Sequence, residues 1–160
     1  MSGHKYTIRM GYILILIILG LNFTSGDHSA KAIRKLSAEE KAAYIDQLEI
    51  YEFFARRVEL VGGHKQPAIW FRLRNKSDVS FSQVRVKINF FDKKQRLIHE
   101  SYFHPVHDNT SFNYAIDSLA PEQVWQMSHS RYYIPTGVPT HWRDGNAYAE
   151  IVDVEINPNN

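Results

Sequence analysis

The sequence predicts a mainly β chain, an antiparallel β-sandwich preceded by an N-terminal apolar segment and one short helix. Three observations carry this. From Arg57 onward apolar residues recur at every second position; turn-forming residues cut the chain into short pieces; and the first 26 residues have a composition unlike the rest. A length of 160 residues fits one folded domain, and 44% hydrophobic with 22% charged residues is globular rather than disordered composition. Cysteine is absent, which excludes a disulfide scaffold, thiolate metal ligation and a cysteine nucleophile.

Residues 1–26 read as a secretory signal peptide or an N-terminal membrane anchor. Lys5 and Arg9 precede an uncharged run, Met10 to Phe23, and Thr24 and Gly26 stand at the minus-three and minus-one positions of a cut before Asp27. That run is shorter than the roughly 20 apolar residues a bilayer span needs, so cleavage and retention both stay open. Residues 27–52 are expected to form a linker and a short helix. Ser37 stands three residues before Glu40, the capping-box spacing, which predicts a helix starting near Ala38 and ending between Asp46 and Tyr51. This segment reads either as a spacer or as a terminal helix packed on the sheet.

The sandwich is assigned to residues 53–157, with 158–160 as a tail. Ile69, Phe71 and Leu73 alternate with Trp70, Arg72 and Arg74, and Val84, Val86, Ile88 and Phe90 alternate with Arg85, Lys87 and Asn89. One apolar and one polar face per strand indicates antiparallel sheets wet on one side, not a doubly wound parallel fold. Turn signals at Gly62-Gly63, Asn75 to Asp78, Asp92 to Arg96, Pro105, Pro121, Pro135 to Pro139 and Asp144 to Asn146 leave six strands. They are Phe53 to Val61, Ala68 to Arg74, Phe81 to Phe91, Leu97 to His104, Glu122 to Tyr133 and Tyr148 to Ile156.

The strand text Phe71-Arg-Leu-Arg-Asn75-Lys-Ser77, Val84-Arg-Val-Lys-Ile-Asn-Phe-Phe-Asp92, Leu119-Ala-Pro121-Glu122 and Ile151-Val-Asp-Val-Glu-Ile156 resembles the FxLYD and late-embryogenesis-abundant type modules. The resemblance covers roughly Val58 to Ile156. It implies an immunoglobulin/fibronectin-like sandwich of an exported or membrane-anchored bacterial protein, with a noncatalytic habit. Asn75 would then end one strand, Asp92 would open the turn after a central strand, and Leu119-Ala-Pro would precede a strand beginning near Gln123. Where that class usually has Gly after Pro, this chain has Glu122.

Charge narrows the partner classes. The chain holds 19 basic and 17 acidic residues; Lys5 and Arg9 are the only charged residues of the first 26, so the remainder balances at 17 against 17. A neutral body lacks the long-range pull toward phosphate, and no nucleic-acid partner is expected. Sequons at Asn22, Asn75 and Asn109 bear on the protein only in a glycosylating secretory pathway.

Four groups of residues compete for chemistry. His99, Glu100, His104, His107 and Asp108 offer imidazole and carboxylate ligands for zinc or copper, although His99 and His104 face opposite sides of an extended strand. No Gly-x-Ser-x-Gly elbow or glycine-rich phosphate loop occurs, so no catalytic residue, no enzyme activity and no cofactor is expected. Trp70, Arg72 and Arg74, together with Arg85 and Lys87, would build one outward basic face for an acidic partner if their strands were adjacent; the same charges also serve solubility. Finally, Arg131, Tyr132, Tyr133, Trp142 and Arg143 concentrate the residue types that dominate protein interfaces in the long segment before the last strand, where Trp142 would alternatively cover the open end of the core.

The leading expectation is an exported, noncatalytic interaction module, periplasmic or tethered through residues 1–26, that contacts another envelope protein through the Tyr132 to Trp142 segment. The alternatives are a metal-binding or hydrolytic protein using His99, His104 and His107, and a protective spacer with no specific partner.

Overall fold

The computed structural model describes residues 35–107, 115–127 and 132–157, all within the unit Lys31–Asn160. The apolar segment 1–26 and the tail 158–160 lie outside the described residues. The capping box forms as its spacing requires. Ser37 Oγ accepts the Glu40 N–H at 3.2 Å, and Glu40 Oε2 accepts the Ser37 N–H at 2.9 Å, opening helix α1 (Ala38–Ile45). The helix lies on the core rather than standing clear of it. Tyr44 meets Phe81 edge-on at 5.9 Å, Leu36 is buried, and Lys41 Nζ reaches Asp153 at 2.5 Å. Among the described residues no helix is long and apolar enough to cross a membrane.

Six strands follow: β1 (Leu48–Glu59), β2 (Lys65–Asn75), β3 (Phe81–Phe91), β4 (Leu97–His107), β5 (Val124–Gln126) and β6 (Ala147–Ile156). They form two antiparallel sheets, ordered β1-β2-β5 (sheet A) and β4-β3-β6 (sheet B). The two-residue period does what the sequence predicts. Ile69, Phe71 and Leu73 of sheet A and Val84, Val86, Ile88 and Phe90 of sheet B are buried and belong to one hydrophobic cluster. Each such side chain contributes about 1.5–3 kcal/mol through burial. The sheets meet at Phe71, whose ring is edge-on to Phe103 of β4 at 5.8 Å and 5.2 Å from Trp125 of β5. The molecule is therefore mainly β with sandwich-like packing and one short helix.

β2 begins at Lys65 rather than Ala68, and β4 continues through Pro105, read from the sequence as a turn, to His107; the largest differences are in β1 and β5. β1 starts at Leu48, five residues before the predicted Phe53, because Leu48, Ile50, Phe53 and Ala55 all turn inward across a bulge. Tyr51 pairs with Arg72 but Phe54 pairs with Trp70, leaving Glu52 and Phe53 opposite Phe71, with Glu52 at φ 50°. Without that extra residue Phe53 and Ala55 would face solvent. The other difference is β5, only Val124–Gln126 where the sequence predicts a strand to Tyr133; pairing resumes as a lone bridge between Tyr133 and Ile69. The Pro121–Glu122 turn before β5 holds Glu122 at φ 59°, a left-handed conformation that favours glycine.

Polar knots close both ends. At the β2–β3 crossover Asn75 is 0% exposed: its Nδ2 donates to the Val79 and Leu119 carbonyls at 2.7 and 3.1 Å, and its Oδ1 accepts the Ser77 N–H and hydroxyl at 2.9 and 2.7 Å. This sequon asparagine is a buried tie and not an exposed glycan acceptor. At the other end Arg57 takes an inward position on β1 and clamps the chain before β6. Its Nη1 donates to the Trp142 carbonyl at 2.6 Å and pairs with Asp144 at 3.1 Å, and its Nη2 donates to the Thr140 carbonyl at 2.9 Å. The guanidinium lies over the Trp142 ring at 5.1 Å.

Candidate interaction surface

The bulge in β1 decides what the outer face of sheet A displays. It puts Tyr51 and Phe54 on the same side, so three rows of outward side chains cross the sheet: Glu49, Arg74 and Val124; Tyr51, Arg72 and Gln126; Phe54 beside Trp70, followed by Arg56. Phe54 is 60% exposed, a large apolar surface on a charged face. A groove of about 420 Å³ runs between Glu52, Phe54, Arg56, Trp70, Arg72 and Gln126, with Phe71 and Met127 also lining it.

The cations on this face lie over rings. Arg56 sits over Trp70 at 5.2 Å, and Arg72 and Arg74 sit over Tyr51 at 5.8 and 5.2 Å. Tyr132 packs against Trp70 with ring centroids 4.6 Å apart. Arg72 Nε also pairs with Glu52 at 3.1 Å, while Arg74 and Lys76 share Glu49 at 3.8 and 3.0 Å. Such stacking holds long side chains in place, which lowers the entropy lost when they meet a partner.

The residues singled out from the sequence are distributed differently. Of the interface group, Tyr132 joins this face. Tyr133 is tied inward, its hydroxyl 2.6 Å from Ser101 Oγ and 3.1 Å from the Tyr102 carbonyl, and its ring 4.8 Å from Phe103. Trp142 is 2% exposed, edge-on to Phe90 at 5.3 Å, and its Nε1 donates to the Asn146 carbonyl at 3.0 Å, so it covers the open end of the core. Arg143 is exposed, and Arg131 lies outside the described residues.

Arg85 and Lys87 do not merge with Trp70, Arg72 and Arg74, because β3 belongs to sheet B and β2 to sheet A. The outer face of sheet B is closed by its own ion pairs. Lys87 pairs with Glu150 at 2.6 Å and Glu100 at 3.6 Å, and Arg85 approaches Asp153 at 3.9 Å and lies over Tyr102. The hydrogen bond from Lys87, reinforced by Asn89, holds the Glu150 carboxyl below its ordinary pKa, and the same bond raises Lys87.

The three histidines do not converge. His99 is opposite Phe90 and His107 opposite Gln83, seven β3 positions apart, about 23 Å at roughly 3.3 Å per residue. His104 and His107 are neighbours with rings 5.8 Å apart, and burial, then the charges of His107 and Arg85, push the His104 pKa down. His99 packs beside Phe90 under Gly137, where an added Cβ would lie 3.2 Å from the imidazole, and its Nε2 is buried without a hydrogen-bond partner. Among the described residues no group of three or more His, Cys, Asp or Glu side chains could hold a metal ion; Asp108 lies outside them.

Against this geometry, no protein family, curated protein or solved structure matches the chain. The face is therefore read from its own chemistry. Sequence reasoning found Trp70, Arg72 and Arg74 but missed Tyr51, Phe54 and Arg56: Tyr51 lay in the segment read as linker and helix, and Phe54 and Arg56, although inside the predicted strand Phe53 to Val61, join Tyr51 on one face only through the bulge. The usable signal was the break in alternation between Ile50 and Phe53, where a strand needs a bulge.

Proposed function

We propose that this protein is an exported, noncatalytic interaction module, periplasmic or membrane-tethered through residues 1–26, that contacts another envelope protein through the outer face of sheet A. The single observation that carries the contact is the arginine-braced aromatic groove, with Phe54 exposed at its rim and Trp70 held between β1 and Tyr132. Aromatic and arginine side chains with little freedom left are the usual anchors of protein interfaces. Export rests on the Lys5–Arg9 start and the apolar run ending at Gly26. The resemblance to FxLYD-type modules agrees with a noncatalytic role. The turn at Glu122 is left-handed where those modules usually carry glycine, and the residue itself departs from their pattern.

A photoreactive benzoylphenylalanine placed at position 54 in cells tests the contact. A discrete, reproducible adduct is expected there and not from position 61, which is still more open to solvent but lies in the β1–β2 turn. Absence of any reproducible adduct at position 54 would overturn the contact and favour a spacer. The intact mass of protein recovered from membrane and soluble fractions reports whether the cut before Asp27 is made.

A further inference from the structure

We infer that the groove on sheet A takes an extended acidic peptide segment of the partner, with carboxylates on Arg56 and Arg72 and apolar side chains on Phe54. The inference rests on the reading of that face as the contact surface and adds the chemistry of what it binds.

Charge complementarity gives the sign. Among the described residues Arg56, Arg72, Arg74 and Lys76 meet only Glu49 and Glu52, on a body that balances as a whole at 17 basic against 17 acidic residues beyond residue 26. Arg56 forms no ion pair with a described residue, yet its guanidinium is fixed over Trp70 at the groove wall. It is a preoriented cation awaiting a counterion. Sheet B shows the opposite condition, where Lys87 is held between Glu150 and Glu100.

Glu52 shows how a carboxylate docks. It stands at the groove rim on the bulge, at φ 50°, with its carboxylate 3.1 Å from Arg72 Nε. A partner carboxylate arriving along the groove would meet the same guanidinium, so Glu52 acts as an internal stand-in that the partner displaces. Phe54, directly before Ala55 and Arg56 in the strand, supplies an apolar contact beside the cations. Alternating acidic and apolar side chains on an extended backbone match that spacing.

A glycan or a nucleic acid fits less well. Both use open aromatic faces, whereas the Trp70 ring already has Arg56 over it and Tyr132 packed against it, and Tyr51 carries two arginines. A neutral body also lacks the field that draws a polyphosphate.

Isothermal titration of the purified full-length protein with a blocked (Glu-Leu)4 peptide, with (Lys-Leu)4 and with polygalacturonate as comparisons, tests this. The Glu peptide should bind at least about tenfold more tightly than the Lys peptide and weaken as salt rises. Arg56→Gln should weaken it about fivefold, and Glu52→Gln, which frees Arg72, should tighten it about threefold. Thermal melts of both variants check that each still folds. Equal binding of the two peptides, indifference to both substitutions, or binding of polygalacturonate with the Glu peptide silent would overturn the inference. The position 54 crosslink separates it from the reading beneath. An adduct that survives unchanged in Arg56→Glu/Arg72→Glu keeps the contact face but removes its acidic occupant. Tight Glu-peptide binding with no adduct in cells supports the groove chemistry and overturns the envelope contact.

Discussion

Trp142→Ala is expected to destabilise the fold by about 4 kcal/mol. The figure comes from what the indole touches. Trp142 is 2% exposed and sits edge-on to Phe90, so truncation leaves a cavity at the end of the core, and buried aromatic-to-alanine changes cost about 3–5 kcal/mol. The Nε1 bond to the Asn146 carbonyl and the Arg57 guanidinium over the ring are lost as well, and both losses fall within that range. For a domain of this size 4 kcal/mol lowers the melting midpoint by about 15 °C. Differential scanning calorimetry measures it, with Trp142→Phe as the control. That variant keeps a ring against Phe90 and loses only the indole bond and part of the volume, so it should fall by about 1–2 kcal/mol. An alanine variant melting within about 2 °C of the parent would refute the placement of Trp142 in the core and return its loop to the surface.

Asn75→Asp should cost about 3–4 kcal/mol at neutral pH, because a buried carboxylate would face the Val79 and Leu119 carbonyls that the amide now satisfies. Part of the loss should return on acidification, when the protonated carboxyl introduced at position 75 can donate again; urea midpoints at several pH values check this, and a variant as stable as the parent would contradict the knot. Glu150 has its carboxyl pKa depressed from the ordinary 4.5 by Lys87 and Asn89, so its stabilising contribution is complete above that value and is lost as pH falls through the lowered one. The stability gap between the parent and Glu150→Gln should accordingly stay constant near neutrality and shrink in acid; a gap that widens in acid would be the wrong sign.

Much of the architecture was legible because burial with a period of two leaves a direct mark. β3 runs from Phe81 to Phe91 as its alternation indicates, and the Ser37–Glu40 capping box sets the helix start. Ladder ends were less legible. β5 stops after Gln126, although Trp125 and Met127 go on supplying apolar side chains, because those residues fill the core without an extended partner beyond Leu73 and Arg72. The surface was least legible, because the relevant facts are two-dimensional. Trp70, Arg72 and Arg74 look the same in sequence as Arg85 and Lys87; only the assignment of β2 and β3 to different sheets shows that Arg72 and Arg74 stack on Tyr51, with Trp70 under Arg56, while the second group is neutralised by Glu150, Glu100 and Asp153. Trp142 carries an interface residue's identity, but Arg57, distant in sequence, folds it inward.

The brevity of β5 bears on solubility. An open sheet border presents unpaired amides and carbonyls that can template aggregation, and an apolar face beside it compounds the hazard. Here the border next to β2 offers three ladder residues and then the lone Tyr133 bridge, while Gly145 and Asp144 cap the opposite border by hydrogen-bonding the Ala55 carbonyl and the Arg57 N–H. On the β5 side of sheet A a neighbouring molecule finds little ladder to pair with. Beside the groove that holds Phe54, β5 therefore offers a second copy three ladder residues to pair with, which limits strand-to-strand growth on that border.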